Sequence, residues 1–482
     1  MKGFTKEKVV SAGKNAVLGF QHMFAMLGAT VTVPMVVGMS IPLALLSAGV
    51  GTIIFYFLTQ RKVPVFLGSS FAFMPGLITV FSQGHEAAAL AAMLALVVAG
   101  LVYVALSFVI KFVGVQKVKK LFPPIVVGPV IIIIGMNLAG SIFWNDIVAN
   151  YVVYGSASWK EWTTALITAI TIIAVNAFAK PKSFLKVIPI LIGFVVGYIY
   201  SACVGMVHID FSGDIVIFQQ AKECWGFWGD WGKLDGGIIA TAMLSIVPVA
   251  IVTFMEHLGD ISANSTVCGK DFMVDPGLHR TVLGDGIATA VSGMLGGPAN
   301  TTYGENTAVL AITKNYNPRN IFYAAICAVV LGCFVPFGEI LKAMPAAVVG
   351  GACIVLFGMI SASGLRSLVD GKVDFSNTKN LIVVAVTLSV GLGLGALGLA
   401  GDIVSAMSGY TINGNLVKIG FNVSGGGFVS ISALAIATIL AIVLNLIIPN
   451  SKPETEEQKA AAENVRVTLE SSAADISEEK AE

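Results

Sequence analysis

The sequence predicts an all-α polytopic membrane protein of fourteen transmembrane segments, arranged as two inverted halves of seven. Three observations lead there. Long apolar stretches follow one another along nearly the whole chain: 56% of its 482 residues are hydrophobic and only 12% charged, about half the charge of a soluble domain. Basic residues concentrate in alternate loops. Two stretches that ought to be ordinary spans are instead built of small, polar and aromatic residues, and they stand seven segments apart.

The apolar segments of the first half are 15–39, 42–58, 63–81, 87–113, 121–143, 162–179 and 185–206. Those of the second are 236–258, 281–295, 298–313, 321–341, 345–365, 381–400 and 428–448. A helix needs roughly 20 apolar residues to cross the hydrocarbon core, so segments three, nine and ten are short or interrupted. With the N-terminus placed inside and the sides alternated, 24 of the Lys and Arg residues fall inside and 5 outside. The positive-inside rule therefore supports fourteen spans with both termini cytoplasmic. Two outside loops are long. Residues 207–235 carry Trp225, Phe227, Trp228 and Trp231 and read as an interfacial aromatic cap. Residues 410–426 read as a surface hairpin about Asn413-Gly414. The start, 1–14, is a polar, basic cytoplasmic terminus with no cleavable signal. The acidic tail, 450–482, reads as solvated.

Composition also excludes. The net charge of +1 gives no footing for nucleic acid. The six cysteines show no metal or redox spacing, and no nucleophile–base set or metal cluster suggests an enzyme. No cofactor is implied.

Segment ten begins Pro298-Ala-Asn-Thr-Thr-Tyr-Gly304-Glu305-Asn306, which is poor helix material. Irregular backbone survives at membrane depth only inside protein or beside a water-filled cavity, so this stretch lines a site. Segment three matches it in kind, with Gly68-Ser69-Ser70-Phe71-Ala72-Phe73. Segment one carries Gln21-His22, and segment eight carries Glu256-His257 at its inner end. An odd offset reverses the direction of the second half, and paired interrupted segments mark the substrate site of inverted-repeat transporters.

Glu256 and Asp260 share a helical face if the helix survives Gly259. Glu305 follows a break where a charge is expensive and usually functional. Ionised carboxylates only accept hydrogen bonds, whereas half-helix N-termini near Phe71 and Gly304 donate. Acceptors beside donors suit a flat ring with alternating N–H and C=O groups, such as a nucleobase. Phe71, Phe73 and Tyr303 are candidates to stack on it. Glu256, Asp260, Glu305 and His257 are candidates for a proton relay, with sodium as the alternative coupling ion.

The chain resembles the nucleobase–ascorbate transporters, a family of nucleobase/cation symporters, and within it the bacterial uracil permeases. The matching stretches are Gln21-His22-Met23-Phe24-Ala25-Met26, Gly68-Ser69-Ser70-Phe71-Ala72-Phe73, Leu121-Phe122-Pro123-Pro124, Asp275-Pro276-Gly277-Leu278-His279-Arg280 and Asn300-Thr301-Thr302-Tyr303-Gly304-Glu305-Asn306. The resemblance implies a core domain of segments 1–4 (15–113) and 8–11 (236–341). It implies a gate domain of segments 5–7 (121–206) and 12–14 (345–449), with a homodimer contact in relatives. Segments three and ten would each contain a short strand. It further implies inner-membrane uptake of uracil with a proton by alternating access. Glu256 and Glu305 would accept from the ring N–H groups, the amides of Phe71 and Gly304 would donate, and Ser70 and Tyr303 would line the pocket. Two departures stand out. Asp260 occupies a position that is His in such uracil permeases and often Asp in purine members, and Ala308 replaces a signature Gly. A xanthine or purine permease of the same family is the nearest alternative. An anion transporter or channel of related fold is the alternative from another class, but it would want basic residues at the half-helix ends, where none occurs before Lys314.

Overall fold

The computed structural model describes residues 6–142, 159–180, 183–207, 225–408, 420–423, 427–430 and 433–449. The acidic tail, the first five residues, most of the loop before Trp225 and the Asn413-Gly414 turn lie outside the described residues.

Seventeen α-helices run in chain order among the described residues. The first half holds α1 (Lys6–Val37), α2 (Ile41–Leu58), α3 (Met74–Phe81), α4 (Ala88–Val113), α5 (Val115–Leu121), α6 (Pro124–Ile142), α7 (Trp159–Phe178) and α8 (Pro189–Cys203). The second holds α9 (Gly236–Ile246), α10 (Val249–Cys268), α11 (Leu278–Leu295), α12 (Gly304–Thr313), α13 (Pro318–Gly332), α14 (Val335–Lys342), α15 (Ala346–Asp370), α16 (Thr378–Ser408) and α17 (Ala433–Ile447). Six helical stretches are long and apolar enough to cross a membrane, and six shorter apolar ones accompany them. This is a multi-pass membrane protein. On α7, Leu166, Ile170 and Ile173 are exposed at helical spacing, and Ile439, Val443 and Leu446 do the same on α17. Both stripes suit hydrocarbon.

The helices pack in two sets. In one, α11 lies against α4 and α2, and α13 against α2 and α1. In the other, α15 lies against α6 and α7, α16 against α6 and α17, and α7 against α8. Small residues permit the closest crossings, as they commonly do in membranes. A Cβ on Gly100 of α4 would sit 2.5 Å from the Gly286 carbonyl of α11, and one on Gly286 2.8 Å from the Gly100 carbonyl. Gly128 of α6 and Gly364 of α15 meet in the same way, at 3.0 and 2.7 Å.

Two short antiparallel sheets interrupt the helical pattern. Strand β1 (Leu67–Ser69) pairs with β2 (Asn300–Thr302), with Leu67 opposite Thr302 and Ser69 opposite Asn300. Strands β3 (Gly420–Val423) and β4 (Gly427–Ser430) pair near the C-terminal helix. Strand β4 takes the start of the fourteenth expected segment.

Several segment limits need correction. The eighth does not end at 258. It breaks between Ile246 and Val249, where Pro248 supplies no N–H, and then runs on through Gly259 to Cys268. The eleventh is two helices, divided at Cys333 and Phe334, with Pro336 in the first turn of the second. The thirteenth extends to Ser408. At the loop end of α11, a 3-10 turn over Gly226–Lys233 docks its aromatics. The indole N–H of Trp225 donates to the Leu295 carbonyl at 2.8 Å and that of Trp228 to Met294 at 3.2 Å. These are among the carbonyls a helix end leaves unpaired.

Candidate functional site

The strand pair is where two broken spans meet. Beyond β1 the chain enters a 3-10 turn, Phe71–Phe73, and then α3. Beyond β2 it enters α12 at Gly304. The Ser70 N–H donates to Ala299 O at 2.8 Å and the Tyr303 N–H to Phe66 O at 3.1 Å, lengthening the ladder at both ends. Two helix N-termini therefore start from one strand pair, and each leaves its first N–H groups without intrahelical partners.

Backbone that has left a helix must still be satisfied away from water. On the outer edge of β1, Thr52 of α2 accepts from the Leu67 N–H at 2.9 Å and donates to the Leu67 carbonyl at 3.1 Å. On the outer edge of β2, Thr289 of α11 donates to the Asn300 carbonyl at 2.8 Å. The Asn300 amide donates to Ser47 O at 3.1 Å. From α12, the Asn306 amide donates to His22 O at 3.1 Å and lies 3.2 Å from His22 Nδ1, tying that half-helix to α1.

The expected site residues fall into place unequally. Glu256 and Asp260 stand in mid-helix on α10, both half-buried. Gly259 does not interrupt them. Asp260 Oδ2 accepts from Thr302 Oγ1 at 2.7 Å, and its Oδ1 lies 3.5 Å from where a Cβ on Gly304 would be. That carboxylate thus stands at the N-terminus of α12, where negative charge is favoured. Glu305 is the second residue of α12; its side chain lies outside the described residues. Ser70 is fully buried, and its hydroxyl has no hydrogen-bond partner among the described residues. Phe71 is 8% exposed and meets Phe357 of α15 edge to face, centroids 5.4 Å apart. It is a point of contact between the two helix sets.

Tyr303 has a second task. Its ring lies over Gly68, where no Cβ intervenes, and its hydroxyl donates to the Ser69 carbonyl at 2.8 Å. Thr30 approaches the same hydroxyl at 3.3 Å. The residue clamps β1 onto β2 from within.

His257 is turned onto α11. Its Nδ1 is 3.0 Å from Asp285 Oδ2 and its Nε2 3.0 Å from Thr281 Oγ1, both on α11, and all three residues are fully buried. Asp285, Thr302, Thr52 and Thr289 are site-supporting residues that sequence reading did not single out. Asp285 carried a signal, being an acid inside an apolar segment. The threonines carried none, because a hydroxyl in a span looks like any small residue. Among the described residues, no group of His, Cys, Asp and Glu is arranged to hold a metal ion.

Two half-helices converging on a strand pair inside a multi-pass helical protein, with the Asp260 carboxylate beside the N-terminus of one, define a membrane transport protein. The family model described as "Permease family" matches residues 13–400, and the chain belongs to that family, the nucleobase–ascorbate transporters its motifs resemble. It is 37% identical to the uracil permease of Bacillus caldolyticus over 451 residues, covering 93% of this chain and 94% of the relative. It is 39% identical to the uracil permease of Bacillus subtilis (strain 168) over 446 residues, covering 91% and 94%. Among solved structures, the transmembrane domain of a cyanobacterium bicarbonate transporter, BicA, superposes with a TM-score of 0.56 at 14% identity, covering 82% of this chain and 96% of that one. That likeness shows the fold alone.

Proposed function

We propose that this protein carries uracil across the cell membrane in symport with protons. The observation that carries the reading is the likeness to uracil permeases over nine-tenths of both chains. The site chemistry supports it. Carboxylates accept and helix N-termini donate, which matches the alternating N–H and C=O edge of a pyrimidine ring. In this reading Glu256 and Glu305 accept from the two ring N–H groups. The amides of Phe71 and Gly304 donate to a ring carbonyl, and Ser70 and Tyr303 complete the wall. Asp260, with Glu256, Glu305 and His257, carries the coupling proton.

The same proposal includes fourteen segments in a seven-plus-seven inverted repeat, with a core set and a gate set that rock against each other. It places the chain in the lipid bilayer of the inner membrane, both termini cytoplasmic, as a homodimer. Packing supports the repeat. The contacts α4–α11 and α2–α13 exchange under an offset of seven segments, as do α7–α15 and α6–α16.

The test of the ligands is binding of radiolabelled uracil to detergent-purified protein. Glu256→Gln and Glu305→Gln are each expected to weaken it by at least tenfold, since a buried hydrogen bond to a charged group contributes about 1.5–3 kcal/mol. Affinity unchanged in both variants would sink the assignment. For coupling, uptake into proteoliposomes should follow an inward pH gradient in sodium-free buffer; a strict sodium requirement would refute proton symport. Asp260, where the uracil permeases resembled carry His, favours a second reading as a xanthine or purine permease. A competition panel of uracil, thymine, xanthine, guanine and urate separates the two.

A further inference from the structure

One short hydrogen bond joins the candidate proton carrier to the strand pair. Thr302 Oγ1 donates to Asp260 Oδ2 at 2.7 Å. Thr302 is the last residue of β2, is 1% exposed, and lies opposite Leu67. Two residues later comes Gly304, the start of α12. An ionised carboxylate can only accept, whereas a protonated one also donates. A proton on Asp260 therefore weakens or reverses the bond that Thr302 makes. The rest of this strand end is committed elsewhere, with the Tyr303 N–H on Phe66 and the Tyr303 hydroxyl on Ser69. The neighbouring Thr301 hydroxyl, also buried, has no partner among the described residues, so the Thr302 contact is specific to its place in the register.

We propose that Thr302 is a positioning residue that transmits the protonation of Asp260 to the junction of β2 and α12, where Gly304 and Glu305 meet the substrate. The proposal rests on the reading of Asp260 as a proton-coupling residue. It puts the proton on the carboxylate that Thr302 holds and the substrate at the helix start two residues further on, so that each responds to the other through the backbone between them. Other titratable or charged groups on α10 and on the elements packed against it include Glu256, His257 and Cys268 on the helix itself, Tyr103 and Lys111 on α4, His279, Arg280 and Asp285 on α11, Lys270, Asp271 and Asp275 in the turn after α10, Tyr303 beside β2, and Glu305 on α12. Thr302 ties Asp260 to strand β2.

The experiment separates exchange from coupling in proteoliposomes. Counterflow of labelled uracil without a gradient reports binding and movement. Accumulation under an inward gradient of one pH unit reports coupling, and for one proton per uracil its limit is about tenfold. Thr302→Val keeps the β-branched shape of a strand residue and removes the donor. It should retain counterflow within about threefold of wild type while accumulation falls toward unity, and Thr302→Ser should restore accumulation. Asp260→Asn should lose accumulation, with no further loss in the double variant. If Thr302→Val accumulates uracil as wild type does while Asp260→Asn does not, the role of Thr302 is overturned and the coupling role of Asp260 survives. If Asp260→Asn itself accumulates normally, the coupling reading fails and the inference goes with it. If Thr302→Val and Thr302→Ala lose counterflow and accumulation in parallel, Thr302 is structural and the inference is overturned.

Discussion

Tyr303 shows how one side chain reconciles a helix break with a hydrocarbon setting. The break exposes backbone carbonyls, and the Tyr303 hydroxyl takes the one at Ser69. Its ring fits only because position 68 lacks a Cβ. Tyr303→Phe should therefore lower stability by about 1 kcal/mol, the net value of a typical hydrogen bond, with uracil affinity largely kept. Gly68→Ala should be far more damaging, because the added carbon meets the ring and the strand pair cannot give way. Thermal unfolding of the purified variants, alongside uracil binding, checks both. Asp285 makes the complementary point about buried charge. It is fully buried and partnered by His257, and a buried pair is costly to break from one side. His257→Ala should for that reason destabilise the protein more than loss of its packing alone.

Each broken span trades helix hydrogen bonds for strand, threonine and asparagine partners. The result is two N-termini held by a rigid ladder rather than by a loose loop. Helix α9 has its own device. Asp235 caps it by accepting from the Ile238 N–H at 2.9 Å, and its other oxygen lies 2.9 Å from His85 Nε2. That backbone N–H holds the Asp235 carboxyl below the usual carboxylate range. A carboxyl depressed by folding stabilises above its unfolded pKa, and the contribution is lost as pH falls through the folded value. The first turn of α9 should therefore open faster in acid. Hydrogen exchange at residues 236–239 should show that acid dependence in wild type and lose it in Asp235→Asn, which keeps an acceptor that does not titrate. Where α4 crosses α11, Gly286→Val should cost about 1–3 kcal/mol through overpacking, since its Cβ would stand 2.5 Å from that of Tyr103.

Over the whole molecule, the strand pair and the helices beside it form one packed set, and α6, α7, α8, α15, α16 and α17 form the other. Phe71 against Phe357 and Phe122 against Phe254, each 5.4 Å between centroids, are points where the two sets touch. Lys62 and Asp275, 2.5 Å apart, link two loops of the first set. If transport rocks one set against the other, joining positions 62 and 275 with a short thiol cross-linker should leave uptake intact. Joining 71 and 357 should arrest it. Both experiments need a background without the native cysteines, with uptake measured before and after cross-linking.

The apolar runs, the charge alternation and the paired breaks at segments three and ten were legible one residue at a time, because hydrophobicity, loop charge and helix propensity are local properties. They determined a multi-pass helical membrane protein with paired breaks at residues 63–81 and 298–313, and the motif set pointed to the family. Helix ends were less legible: α10 outruns its apolar stretch because packed polar residues such as His257 and Asn264 find partners on other helices. Only the tertiary structure decided which way each polar side chain faces. Glu256 and His257 are neighbours in the chain, yet one is a half-buried acid and the other is sealed against α11. Thr302, ordinary in composition, became the residue that holds Asp260. Such pairings join residues tens of positions apart, and a hydrogen bond depends on that separation in space, which local sequence does not encode.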